Sequence, residues 1–144
     1  MKLLLIPMLT PPLTEIMNKV EHYSVMLCDA LYMSMKAWTL RLHEGAAAKG
    51  NDVDYHIKKI EEINEKGVDS EYYLESGRKY YKLIHKDGIS RSVHCFIDKS
   101  TGDVYKSASW QSPAKGVRYN LLDDNSRELC YSNCDPFGGY LYAR

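Results

Sequence analysis

The sequence predicts an α+β domain: an N-terminal long helix plus a short helix packed on a small antiparallel β-meander, then a short C-terminal helix and a terminal strand. Three observations carry that prediction. Apolar residues recur at three- and four-residue steps through the first third of the chain. Tyrosine-rich runs punctuated by Ser-Gly, Asp-Gly and Thr-Gly pairs follow between residues 71 and 110. The total of 144 residues, 44% apolar and 26% charged, suits one globular core and argues against wholesale disorder.

The opening MKLLLIPMLTPP holds one apolar run, from Leu3 to Leu9, interrupted by Pro7 and followed by no small-residue cleavage site. It is not read as a secretory signal. No run approaches the ~20 apolar residues of a membrane span, so neither a secreted nor a membrane location is expected.

After Pro12 the stripe Leu13, Ile16, Met17, Val20, Tyr23, Leu27, Ala30, Leu31 and Trp38 has helical spacing. Unbroken over 13–43, such a helix spans roughly 46 Å at 1.5 Å per residue. That exceeds the expected width of the remaining domain. Two readings follow: the helix reaches into a neighbouring copy or a larger assembly, or it breaks near Ser34 and folds back on its own sheet. Met8, Met26, Met33 and Met35 lie off the main stripe. Gly45 and Gly50 mark a hinge over 44–51, which divides the chain into a helical extension, 1–50, and an α+β domain, 51–144. Asn51 or Asp52 then caps a short helix with Ile57, Ile60 and Ile63 on one face, ended by Gly67.

Strands are expected over 71–75, 78–86, 92–98 and 103–110. Asp87-Gly88 supplies one tight hairpin turn, and Lys99-Ser100-Thr101-Gly102 a second with glycine in the left-handed conformation. Val93, Cys95 and Ile97 alternate with His94, Phe96 and Asp98, which gives one apolar face. A loop over 111–120, a short helix over 125–132, a turn at 136–139 and a terminal strand over 140–144 complete the chain.

Charge is balanced overall, 19 basic against 19 acidic residues, but unevenly spread. Residues 51–77 carry eight acidic and three basic groups; residues 78–118 carry nine basic and three acidic. The two segments either face each other or are separately solvated. The chemistry of catalysis is absent from the motifs. His94 and Cys95 are adjacent, so strand alternation points them to opposite faces. Cys130 and Cys134 lack the second ligand pair of a structural zinc site, and the four cysteines read as reduced thiols. Ala114-Lys115-Gly116 lacks the leading glycine and trailing hydroxyl of a phosphate loop. No cofactor and no metal is expected.

Basic residues interleaved with aromatics remain. Arg78, Lys82, Arg91, His94, Lys106, Trp110, Lys115 and Arg118 are the candidate partner-binding residues, accompanied by Lys79, His85, Lys86, Tyr80, Tyr81, Phe96, Tyr105 and Tyr119. Aromatics beside cations on a sheet suit stacking and phosphate contact, although strands favour such rings anyway.

The string SVHCFIDKSTGDVYKSASWQSPAKGVRYNLLDD with the ending GGYLYAR resembles a widespread group of small uncharacterised proteins encoded by tailed phages, especially those of marine cyanobacteria. The likeness covers roughly 48–144 and is most specific over 93–110 and 113–120. Ser107 stands where the group usually has proline, and 1–45 looks like an extension many relatives lack. The resemblance implies a phage origin, in the virion or the host cytoplasm, and no catalytic residues. The functional expectation is a non-enzymatic phage accessory protein that binds a macromolecule, through self-association or assembly by the N-terminal helix. The alternatives are nucleic-acid binding by the basic aromatic segment and a small enzyme with an unrecognised site.

Overall fold

The computed structural model describes residues 12–142. One antiparallel sheet lies against a long helix, α1 (Leu13–Ala48), with a second helix, α2 (Val53–Lys66), packed on α1. This is the expected α+β arrangement.

Helix α1 is unbroken for 36 residues, about 54 Å, and the break near Ser34 that one of the two readings allowed does not occur. No glycine or proline stands between Leu13 and Glu44 to force one. The hydroxyls of Ser24 and Thr39 bond back to the carbonyls of Val20 and Met35, at 2.7 and 2.8 Å, so they are satisfied inside the helix. The helix runs five residues beyond His43, through Gly45. It ends where Gly50 turns to φ +81°, with Gly50 N–H on Ala47 O and Asn51 N–H on Ala46 O, the paired bonds of a Schellman motif.

The buried face of α1 is Val20, Ser24, Leu27, Cys28, Leu31 and Met35. Leu13 and Trp38, placed on the apolar stripe by periodicity, are exposed, and Met35, placed off it, is core. Helix α2 follows Asp52, which sits at φ +40° and makes no side-chain cap. Ile63 is its buried residue, Ile60 is half-buried, and Ile57 is exposed. Gly67 closes α2 at φ +83°, where the Tyr32 hydroxyl occupies the space of a side chain and accepts the Val68 N–H at 3.1 Å.

The sheet order is β1 (Ser70–Ser76), β2 (Tyr80–Asp87), β3 (Ser90–Asp98), β4 (Asp103–Lys106), β5 (Tyr119–Asn120), each antiparallel to the next. The β2–β3 turn is Gly88-Ile89, with Asp87 paired to Ser90 and only Gly88 at positive φ, +65°. Glycine at the first central position gives a type II′ turn, so Asp87 belongs to the strand and not to the turn. The β3–β4 turn is as expected: Gly102 lies at φ +78° and its N–H reaches Asp98 O at 2.9 Å. The Asp98 carboxylate accepts from Ser100 N, Ser100 Oγ and Thr101 N.

Strand β4 stops at Lys106 instead of reaching Trp110, and Ser107 makes one isolated bridge to Pro113. The loop thus released brings β5 back against β4, a strand the residue pattern does not announce. Helix α3 (Asp124–Asn133) starts from Asp123, whose carboxylate accepts the Ser126 N–H at 2.8 Å. In place of the expected terminal strand, Gly139–Leu141 is a 3-10 turn entered through Gly138 at φ +82°. The Asp135 carboxylate binds the backbone N–H groups of Phe137, Gly139 and Tyr140 there, so these donors are unavailable to a sheet edge. Ala143, Arg144 and the opening apolar run, with Met8, lie outside the described residues.

The core joins the inner face of the sheet (Tyr81, Leu83, Cys95, Ile97, Val104) to Val20, Leu27, Cys28, Leu31 and Met35 of α1, with Leu121, Cys130 and Leu141 closing one end. Residues from 1–50 and from 51–144 share this cluster. No helix among the described residues is long and apolar enough to cross a membrane.

Candidate functional site: the outer sheet face

Cross-strand register sorts the basic and aromatic residues. Glu75 faces Lys82, Lys82 faces Phe96, and Phe96 faces Tyr105, so these four form one row on the sheet face away from α1. Tyr80 packs edge-on to Phe96 and to Tyr105, at 5.7 and 6.1 Å between ring centres. Phe96 is buried beneath these rings, while Tyr73, Tyr80 and Tyr105 stay half-buried.

Trp110 reaches this face from the loop after β4. Lys82 Nζ lies 5.4 Å from its ring and the Arg91 guanidinium 5.3 Å, and Arg91 is also 5.9 Å from the Tyr73 ring. Lys82, Arg91 and Trp110 therefore come together. The acidic segment meets them: Arg91 pairs with Glu75 at 2.9 Å and Lys86 with Glu71 at 3.9 Å. Half-exposed pairs of this kind contribute about 0–1 kcal/mol each, so their effect is on local charge more than stability.

The other expected residues go elsewhere. Lys106 is paired in register with Cys95, and its Nζ sits 4.8 Å from the Tyr142 ring. Arg118 donates to the carbonyls of Leu141, Lys115 and Gly116, which ties the loop before β5 to the end of the chain. Lys115 and Arg78 are exposed on separate turns. Tyr81 and Tyr119 belong to the core. The eight candidates do not form one surface, because strand alternation and the early end of β4 distribute them over both faces and a rim.

His94 departs most from expectation. The register shifts between Leu83 and Ile84: Leu83 faces Cys95, but Ile84 faces Val93, so His94 is the extra residue of a β-bulge. Alternation is cancelled there. His94 turns inward, its Nε2 2.8 Å from the Tyr140 hydroxyl and its ring edge-on to Tyr72. Burial, reinforced by neighbouring His85, pushes His94 down to about 4, so it is neutral at pH 7. Cys95 lies deeper, and burial raises its thiol well above the ordinary value. Burial likewise pushes Cys28 and Cys130 up to about 12 and Cys134 up to about 11. None is a thiolate nucleophile at neutral pH. Among the described residues no group of three or more His, Cys, Asp or Glu side chains is placed to hold a metal ion.

The uneven charge along the chain pointed to the acidic segment 51–77 as a partner of the basic one, without singling out Glu71 and Glu75. The Ser76-Gly77 turn was the available signal, since a hairpin closing there sets Glu75 opposite Lys82.

The model of a family of unknown function (DUF7717) matches residues 9–143. The chain belongs to this family. The DUF7717 match takes in α1 together with the sheet, including most of the segment that the phage-protein resemblance treats as an extension. No curated protein and no solved structure matches the chain.

Proposed function

We propose that this DUF7717 member is a non-enzymatic accessory protein that binds a protein partner, a second copy of itself first of all, through the outward side of α1. The observation that carries the reading is a second apolar row on that helix. Met26, Ala30, Met33, Ala37 and Leu40 recur at alternating four- and three-residue steps, the spacing of a helix–helix seam. Met26 and Met33 are 41% and 58% exposed, on the side turned from Cys28, Leu31 and Met35. Methionine suits a contact surface because its unbranched, polarisable side chain adapts to a partner. The resemblance to tailed-phage proteins favours a phage accessory role, in virion assembly or in the host cytoplasm.

Sedimentation equilibrium tests this reading. The intact chain is expected to associate, and Met26→Lys with Met33→Lys to give a monomer with unchanged circular dichroism and thermal midpoint. A monomeric intact chain at every concentration refutes it. Point variants are needed because truncating α1 would remove Val20, Leu27 and Leu31 from the core.

A second reading, nucleic-acid binding on the outer sheet face, is favoured by Lys82 and Arg91 both lying against the Trp110 ring. Glu71 and Glu75 weigh against it, since they neutralise two of the cations a phosphate chain would use. Titration of labelled single-stranded oligonucleotides at two salt concentrations is expected to give little binding. Tight, salt-sensitive binding lost in Arg91→Glu would make this reading the leading one.

A further inference from the structure

Beside the bulge at His94 lies a cavity of about 280 Å³ between the β2–β3 ribbon and the segment 136–142. Its polar lining residues are His85, Ser92, His94, Lys106, Ser107 and Tyr142, and no aspartate or glutamate is among the lining residues. His85 and Ser92 face each other across β2 and β3, so both belong to this inner rim. Tyr72 stacks on His85 with ring centres 4.4 Å apart and planes 5° from parallel, and the Tyr72 hydroxyl is itself held by Pro136 O at 3.0 Å. The imidazole of His85 is thereby fixed in plane.

Its Nε2 is buried and is the one such side-chain atom among the described residues without a hydrogen-bond partner. Buried polar atoms are nearly always paired, because an unpaired one forfeits its hydration, so this atom calls for an explanation. The neighbouring histidine does not share the situation, since His94 Nε2 is engaged by Tyr140. Lys106 adds charge. Its Nζ contacts Ser107 O only at 3.4 Å, rests against Tyr142, and forms no ion pair among the described residues. Ser107 Oγ donates to Val93 O and so keeps its lone pairs for a further donor, not for an anion. Ser92 is exposed at the mouth, with its hydroxyl able to donate inward.

We propose that this cavity binds a small oxyanion, a carboxylate or a phosphate monoester, with Lys106 supplying the charge and His85 Nε2–H and the Ser92 hydroxyl supplying directed hydrogen bonds. A cation, two neutral donors and no carboxylate in the lining select negative charge. The volume lies just under the ~300–1,000 Å³ usual for small-molecule sites, which limits the occupant to a headgroup-sized molecule. The surface is separate from the outward side of α1, so the inference stands or falls independently of self-association.

The test is ¹H–¹⁵N NMR of the full chain titrated with inorganic phosphate and, separately, with acetate, against sodium chloride at equal ionic strength. Saturable shifts confined to residues 85, 92–94, 106–107 and 136–142 are expected with at least one oxyanion and not with chloride. Tighter phosphate assigns a phosphate monoester, and tighter acetate a carboxylate. Lys106→Met is expected to weaken binding about tenfold, the weight of one charge-assisted hydrogen bond. His85→Leu is expected to weaken it as well, while leaving the thermal midpoint equal or higher because an unpaired polar atom is replaced by an apolar one. Absence of saturable shifts with both oxyanions overturns the proposal. So does an affinity unchanged in both folded variants.

Discussion

Replacing Gly102 by alanine isolates two physical effects that the β3–β4 turn combines. The first is conformational: Gly102 sits at φ +78°, where a side chain crowds its own backbone at about 1–2 kcal/mol. The second is steric. A Cβ built there would lie 3.0 Å from Leu122 Cγ and 3.3 Å from Leu122 N, and Leu121 N–H is held on Gly102 O at 2.8 Å, so the neighbouring chain cannot withdraw freely. Overpacking of this kind adds about 1–3 kcal/mol. The total is about 3 kcal/mol, or about 12 °C in thermal midpoint at roughly 4 °C per kcal/mol for a chain of this length. Gly88→Ala is the control: its φ is +65°, but nothing lies within 4 Å of its would-be Cβ, so only the conformational cost of about 1–2 kcal/mol applies. Urea unfolding of both variants, with slopes compared to the parent, measures the difference. If Gly102→Ala unfolds within about 0.5 kcal/mol of Gly88→Ala, less than the smallest overpacking cost, the steric part of the reasoning is wrong.

Three further outcomes are expected. His94 has a lowered folded pKa, chiefly through burial and then through His85, with Asp135 opposing, and His85 shifts in the same direction. As pH falls from about 6.5 to about 4 the unfolded chain takes up a proton that folded His94 refuses, so stability drops by up to about 3 kcal/mol and then levels. His94→Gln should reduce that acid limb, and superimposable stability profiles between pH 4 and 7 would refute it. Arg118→Met removes three carbonyl contacts and should lower stability by about 2–3 kcal/mol, whereas Lys115→Met, on the same exposed loop, should be neutral; equal thermal midpoints would show the Arg118 clasp to be idle. Asp98→Ala removes the acceptor of three turn hydrogen bonds and should destabilise by about 2 kcal/mol, read by chemical denaturation, with no effect expected if the turn holds without it.

Local chemistry was readable where one residue type has one physical solution. Gly67, Gly88 and Gly102 end a helix or turn a hairpin because they tolerate positive φ, and each was identifiable from its neighbours. The buried side of α1 was readable in part. Val20, Leu27 and Leu31 follow from periodicity, but Ser24 is buried with its hydroxyl bonded to its own helix, and Leu13, on the same stripe, is exposed. Arg118 looked like a contact residue and is a clasp, since the carbonyls it binds lie as far as 23 residues along the chain.

By itself the sequence determined the fold class, the helical apolar periodicity of α1 and the first four strands of the meander with their glycine turns, but not whether α1 runs through Ser34 unbroken. These rest on interactions among residues close in the chain. Tertiary structure alone decided which cations share a face, because that depends on strand register, and a one-residue shift reverses every side chain beyond it. The bulge between Leu83 and Ile84 is such a shift. It turns His94 inward beside His85 and Lys106, at the cavity, and turns Arg91 outward to join Lys82 and Trp110 on the opposite face. No local preference of Ser92-Val93-His94-Cys95 encodes it. The bulge exists because Cys95 must meet the core under α1 while Ser90 must meet Asp87 at the turn, and the two strands between those anchors differ by one residue.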